Sequence, residues 1–208
     1  MAVHGKVATT QRKIKAAFIY LVNEKGLSRV TVKDITQAAG INRSTFYKHF
    51  VDKPALVNHY EQTILTEIAA SLNDGFIKHL PENGVATAES QMKLYATVSK
   101  IVDYIYEEFD LAKALLGPNG DPHFEDKIKR WLIDIIDKDL DIIKGNHQMT
   151  PTLPNDYAHE IIISQILDII KLWLTKDNPE PPQQITEIIM RTRYMSPHDI
   201  LGVTNSGN

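Results

Sequence analysis

Residues 41–50 read INRSTFYKHF and combine side chains suited to opposite surroundings. Phe46, Tyr47 and Phe50 are aromatic, while Asn42, Arg43, Ser44, Thr45, Lys48 and His49 carry hydrogen-bonding groups. A buried segment has no use for so many donors, and a solvated face has no use for three rings. The mixture suits a segment anchored on one side and presented on the other to a partner rich in acceptors and negative charge. Duplex DNA is such a partner: amide, hydroxyl and guanidinium groups read base edges, while ammonium, phenol and imidazole groups hold phosphates.

Two short helices position these groups. Thr31 is suited to cap a helix in which Val32, Ile35 and Ala39 face one way, and Ala39-Gly40 breaks it. Asn42 is suited to cap the next piece, where Arg43 to His49 make roughly two turns. Helices joined by Ala-Gly-Ile form a helix-turn-helix whose small turn residues allow a close crossing. Its expected core is Val32, Ile35, Ala38, Ile41, Phe46 and Phe50, with Phe18 and Leu21 from a preceding helix. That helix carries the stripe Ile14, Ala17, Phe18, Leu21, Val22, with Thr9 or Thr10 as its cap and Gly26 as its end. With Phe46 and Phe50 inward, Arg43, Ser44, Thr45 and Lys48 point outward and fit a major groove. Thr31 and Lys33, at the start of the earlier helix, together with Tyr47, His49 and Lys53, are placed to hold phosphates. The alternative is a helical hairpin with a solvated polar face.

Charge points the same way. The net charge of −3 divides unevenly: residues 1–50 hold nine Lys or Arg against two acids, and the remainder 14 against 24. A basic segment on an acidic body implies that one end meets a polyanion; the alternative is chance clustering of surface lysines. The 208 residues are 43% hydrophobic and 24% charged, an ordinary globular composition. There is no cysteine, which excludes disulfides and thiolate metal sites. The basic N-terminus leads into no apolar secretory core, and the apolar run 161–174 is interrupted by Ser164, Gln165, Asp168 and Lys171. The expectation is a cytoplasmic protein that does not enter a membrane.

The remaining periodicity is helical throughout. Asp52 caps a long helix, with Pro54 in its first turn, expected to run to about Leu80 and stop at PENG, 81–84. Helices are expected over 90–108, 124–143, 157–175 and 184–193, separated by turn and proline-rich segments at 115–122, 145–156 and 177–183. The tail from Ser196 lacks periodicity and is expected to be mobile. The fold class is all-α: an N-terminal three-helix head over 1–51, a C-terminal helical domain over 52–195 and a tail over 196–208. The helix at 157–174 is apolar on nearly every side except a stripe of Glu160, Ser164, Asp168 and Lys171. Such a helix needs cover on more than one side, either from a second subunit or as the central helix of a monomer.

Residues 31–56, TVKDITQAAGINRSTFYKHFVDKPAL, resemble the DNA-binding signature of the TetR family of transcriptional regulators. The matches are Thr31, Ile35, Ala39, Gly40, Ile41, Ser44, Thr45, Phe46, Tyr47, His49, Phe50, Lys53 and Leu56. Thr36 stands where a small alanine is usual, and Pro54 replaces an acidic residue. The resemblance implies a homodimeric regulator, usually a repressor, that binds a palindromic double-stranded DNA operator. Tyr47, His49 and Lys53 would hold backbone, Ser44 and Thr45 would lie near bases, and Arg43 would supply specificity. It also implies pairing of the last two long helices into a four-helix bundle, with Ile161, Gln165, Ile169, Leu172, Ile185, Ile188 and Ile189 as the interface. The segment from Tyr104 resembles the subgroup that includes dihydroxyacetone-kinase operon regulators, in which control passes to a small-molecule effector or to a protein partner.

For an effector site the candidates are Met92, Tyr95, Tyr104, Phe109, Leu116, Phe124, Trp131 and Trp173, whose alternative role is to fill the core. His123, His147 and His159 lack the spacing of a zinc site and are expected at the surface. The acidic run Asp134, Asp137, Asp139, Asp141 reads as a solvated face. No phosphate loop or nucleophile elbow is present. No enzyme, cofactor or metal is expected.

Overall fold

The structure, a computed structural model, describes residues 2–72 and 87–202, with side chains from residue 7. The described residues form ten α-helices and no strand: α1 (Ala2–Lys25), α2 (Val32–Ala38), α3 (Arg43–Tyr47), α4 (Lys53–Leu72), α5 (Ala88–Glu107), α6 (Phe109–Leu116), α7 (Phe124–Lys144), α8 (Asn155–Thr175), α9 (Pro182–Thr192) and α10 (Pro197–Ile200). No helix among them is long and apolar enough to cross a membrane. The chain divides into two compact units, one of Met1–Ala70 with Glu108–Asp134, the other of Ser71–Glu107 with Ile135–Asn208.

In the first unit α1 runs through Thr9 and Thr10, so neither caps it. It buries Ile14, Ala17, Phe18 and Val22, while Leu21 is only half-buried. Gly26, at φ 80°, ends it, and a 3-10 turn at Leu27–Arg29 follows that apolar periodicity did not announce. Asp52 caps α4 as expected, its Oδ1 accepting the Ala55 N–H at 2.7 Å. The stop expected near Leu80 lies outside the described residues. The helix expected over 90–108 ends at Glu107, and Phe109 opens a separate, unexpected α6 that buries Leu111, Ala112, Ala114 and Leu115 and packs on α1. Glu108 itself pairs with Lys15 of α1.

The second unit is built on α5, which packs against α9; α8 packs against α9 as well. Leu94, Val98, Val102 and Ile105 of α5, and Ile185 and Ile189 of α9, fill its interior. Two hydroxyls are buried with them, and each donates within its own helix: Thr97 to Lys93 O at 3.1 Å, Thr186 to Pro182 O at 3.0 Å. Trp173 stacks on Tyr106 with ring centres 6.0 Å apart, and its indole N–H donates to Glu180 O at 2.9 Å, which fixes the proline-rich connector. The tail departs from expectation: Ser196 and Asp199 form a reciprocal capping box that starts α10. A Ser-x-x-Asp pair is a helix start even where no apolar stripe follows.

Candidate nucleic-acid interface

The head is assembled by caps and rings. Thr31 Oγ1 accepts the Asp34 N–H at 3.2 Å, and Asp34 Oδ2 accepts the Thr31 N–H at 2.9 Å, so α2 begins with a closed capping box. The Thr31 hydroxyl also donates to Asp34 Oδ2 at 2.6 Å. Lys25 reaches the same oxygen at 2.7 Å. The hydrogen bond from Lys25, then those from Thr31, hold the Asp34 carboxyl well below the usual carboxylate range. One of the two acids in the basic segment is thereby neutralised by a lysine of α1.

The turn between α2 and α3 is closed by two backbone bonds, Gly40 N–H to Gln37 O at 3.2 Å and Ile41 N–H to Thr36 O at 3.0 Å. That geometry places Gly40 at φ 62°, where only glycine is free of strain. Of the expected core, Phe18, Ile35, Phe46 and Phe50 are buried, Leu21, Val32 and Ile41 are half-buried and Ala38 is exposed, while Thr36 is buried though not expected. The extra hydroxyl of Thr36 is tolerated because it donates to Lys33 O at 3.0 Å, within its own helix.

Phe46 has no exposure, and Phe50 is buried beside it with ring centres 5.8 Å apart. Phe50 continues onto Tyr60 at 6.4 Å, and Tyr60 onto Phe18 at 5.2 Å, so one ring chain joins α3, α4 and α1. Burial among these rings pushes the Tyr60 phenol up. Burying one such phenyl side chain contributes about 1.5–3 kcal/mol.

Around that anchor the polar residues fall outward. Asn42, Arg43, Ser44, Tyr47 and Lys48 are exposed, and Thr45 and His49 are half-buried. Asn42 stands at the N-cap of α3 but makes no side-chain cap bond. Tyr47 packs edge-on against Phe46 and leaves its outer part open. Lys33, Arg43 and Lys48 make no ion pair among the described residues. Thr31 is exposed, but its hydroxyl is occupied by the cap. Lys53 is half-buried, and its Nζ donates to Leu27 O at 3.0 Å. Sequence spacing gave no sign of that bond, nor of the Lys25–Asp34 pair.

The other expected sites fall as follows. Met92, Tyr95, Tyr104 and Trp173 belong to the second unit, and Phe109, Leu116, Phe124 and Trp131 to the first. Phe124 and Trp173 are fully buried and fill cores; Met92 and Tyr95 are exposed; Tyr104, Phe109, Leu116 and Trp131 are intermediate. On α8, Ile161 and Leu172 are 58% and 62% exposed, Gln165 is exposed and Ile169 half-buried. Ile185 and Ile189 of α9 lie in the chain's own interior, and Ile188 is half-buried. His123 and His147 are exposed, but His159 is buried, contrary to expectation, with Nε2 at 3.0 Å from Asp137 Oδ1. The carboxylate offsets the cost of burying the imidazole. No cluster of metal-ligating side chains occurs among the described residues.

Comparison with known proteins agrees with this architecture. Residues 14–72 match the model for bacterial regulatory proteins of the tetR family, and residues 93–193 match the model for a transcriptional regulator C-terminal region. Among curated proteins, the HTH-type transcriptional regulator YxbF of Bacillus subtilis (strain 168) is 20% identical over 190 residues, 89% of this chain and 46% of its own length. YvdT of the same organism is 39% identical over 54 residues, 26% of this chain and 28% of its own length. Both are described as uncharacterized, and the chain spans less than half the length of either. Among solved structures, a TetR transcriptional regulator from Streptococcus agalactiae 2603V superposes with TM-score 0.57 at 19% identity, covering 92% of this chain and 97% of that one. The fatty acid degradation regulator FadR from Bacillus halodurans superposes with TM-score 0.59 at 16% identity, covering 88% and 93%. These likenesses share the all-α fold with an N-terminal helix-turn-helix, and the two family models account for the head and the C-terminal helices separately. The chain belongs to the TetR family of transcriptional regulators, a non-enzymatic class.

Proposed function

We propose that the chain acts in the cytoplasm as a homodimeric repressor that binds a palindromic double-stranded DNA operator. Residues 1–51 read the DNA, residues 52–195 carry dimerisation and response to an effector, and 196–208 form a terminal tail. The observation that carries this reading is the division of α3: Phe46 has no exposure, while Arg43, Ser44, Tyr47 and Lys48 stand outward. An α-helix so anchored enters a major groove with its N-terminal residues against base edges. Arg43 supplies base specificity; Lys33, Tyr47, Lys48 and His49 hold phosphates. The stripe Ile161, Gln165, Ile169, Leu172 on α8 supports the dimer, since two strongly exposed aliphatic side chains sit at its ends.

A gel shift of the purified protein against DNA upstream of its own gene tests the reading. A salt-sensitive shift by the protein alone is expected. No shift until a partner protein is added would overturn stand-alone repression in favour of co-activation through that partner.

A further inference from the structure

Glu61 of α4 is the one fully buried carboxylic acid among the described residues, with no side-chain exposure. Its Oε2 accepts Lys127 Nζ of α7 at 2.6 Å, and its Oε1 has no hydrogen-bond donor. The Asp121 carboxyl, in the turn between α6 and α7, lies within hydrogen-bonding reach of Glu61. Asp121 is not free to turn away. Its N–H donates to Leu115 O at 3.1 Å, its carbonyl accepts the Phe124 N–H at 3.1 Å, and its Oδ1 accepts the His123 N–H at 2.9 Å. The neighbouring Gly120 lies so close to Leu115 O that a Cβ there would stand 2.0 Å from it.

The charges acting on Glu61 are Lys127 from α7 and Asp121 from the turn. Tyr60, the adjacent ionisable residue of α4, lies in the ring cluster with Phe18 and Phe50. Two carboxylates against one ammonium leave a negative charge without compensation beside the fully buried Glu61, and two acceptors face each other without a donor. One proton resolves both: Glu61 Oε1–H donates to Asp121, while Oε2 keeps Lys127.

We propose that a single proton held between the carboxyls of Glu61 and Asp121 fastens α4 to the α6–α7 turn, and that its loss releases the turn. The turn also holds the frame of the head. Asn119 O accepts the Leu27 N–H at 2.8 Å, and Asn119 Nδ2 donates to Asn23 O at 3.1 Å. Leu27 O in turn receives Lys53. Releasing the turn therefore loosens the end of α1 and the start of α4 together. The consequence for DNA affinity rests on the function proposed above; the fastening does not.

Burial pushes the Glu61 carboxyl up, Lys127 pulls it down, Asp121 pushes it up again, and the balance lies above the usual carboxylate range. The folded state then keeps a proton that the unfolded chain gives up, so stability falls as pH rises from the unfolded value through the folded one. The test is unfolding of the full chain by urea across pH 4 to 9, for wild type and Glu61→Gln. Glutamine accepts from Lys127 and donates to Asp121 without needing a proton. The ratio of wild-type to variant folding constants is expected to fall with rising pH, at most about tenfold per pH unit for one proton. Parallel profiles would overturn the proposal. Should Glu61→Gln fail to fold, Asp121→Asn provides a neutral donor and is expected to flatten the profile likewise. Over the pH range in which that ratio changes, the wild type should also show, on the acid side, the infrared carbonyl band of a protonated carboxyl that is lost in Asp121→Asn; absence of the difference would overturn the shared proton. None of these readouts uses DNA, so their failure is distinguishable from failure of the DNA-binding reading.

Discussion

Replacing Lys53 by methionine separates a lysine that builds the head from one that holds a phosphate. Its Nζ donates to Leu27 O at 3.0 Å from a half-buried position. A hydrogen bond from a charged donor nets about 1.5–3 kcal/mol, but two features lower that figure here. Leu27 O also accepts the Val30 N–H at 3.2 Å, so no buried acceptor is orphaned by the change. The ammonium is partly hydrated already, and methionine preserves the apolar stem. The expected loss is therefore about 0.5–1.5 kcal/mol, a factor of about 2 to 13 in the folding equilibrium. Urea unfolding followed by circular dichroism reads this loss, and the salt dependence of DNA affinity reads the other role. A phosphate contact contributes about 0.9 to the slope of log affinity against log salt, or about 1.8 for the two copies in a dimer. The structure predicts a stability loss with an unchanged slope. Unchanged stability with a slope reduced by about 1.8 would refute the reasoning, because Lys53 would then leave Leu27 for the DNA.

Arg43→Ala should relax operator specificity, costing about 1–3 kcal/mol against the preferred base pair, whereas Tyr47→Ala should weaken all sequences alike; competition binding with operator variants distinguishes the two. Gly40→Ala should destabilise the head by about 1–2 kcal/mol in thermal unfolding, a backbone cost alone, because nothing lies within 4 Å of the added Cβ. Leu172→Glu, at a position 62% exposed within the chain, should yield a folded monomer by light scattering, and a persistent dimer would place the interface elsewhere.

What the sequence revealed about the head was its local chemistry. Thr31, Gly40, Asp52 and the ring spacing of Phe46 and Phe50 act within a few residues of themselves, so the caps, the turn and the anchor of α3 were legible. Burial by helical position was less so. Ala38 was expected inside and Thr36 was not, because a hydroxyl reads as polar until its own helix supplies a carbonyl. The same limit applies to His159, whose partner Asp137 stands 22 residues away, and to Glu61, whose partner Lys127 stands 66 away. Long-range pairing decides whether an ionisable group is inside, and no period in one segment encodes it. The separate α6 was missed for a related reason: Phe109 continues the apolar stripe of α5, and the break at Glu108 shows only in its backbone angles and its pairing with Lys15.

The same pairing decides which cations of the basic segment are available to DNA. Lys15 is paired with Glu108 and Lys25 with Asp34, so two of the nine charges that suggested a polyanion hold the head together, and Lys53, just beyond that segment, is bonded to a carbonyl. Lys33, Arg43 and Lys48 have no such partner among the described residues and stand on α2 and at α3. A free cation keeps its full attraction for phosphate, while one already paired must first break an internal bond and contributes correspondingly less. Charge counting along a sequence therefore overstates the DNA-facing charge of this head. The attraction of the head for a polyanion depends on the cations left unpaired, and Lys25 neutralises Asp34, one of the two acids of the basic segment.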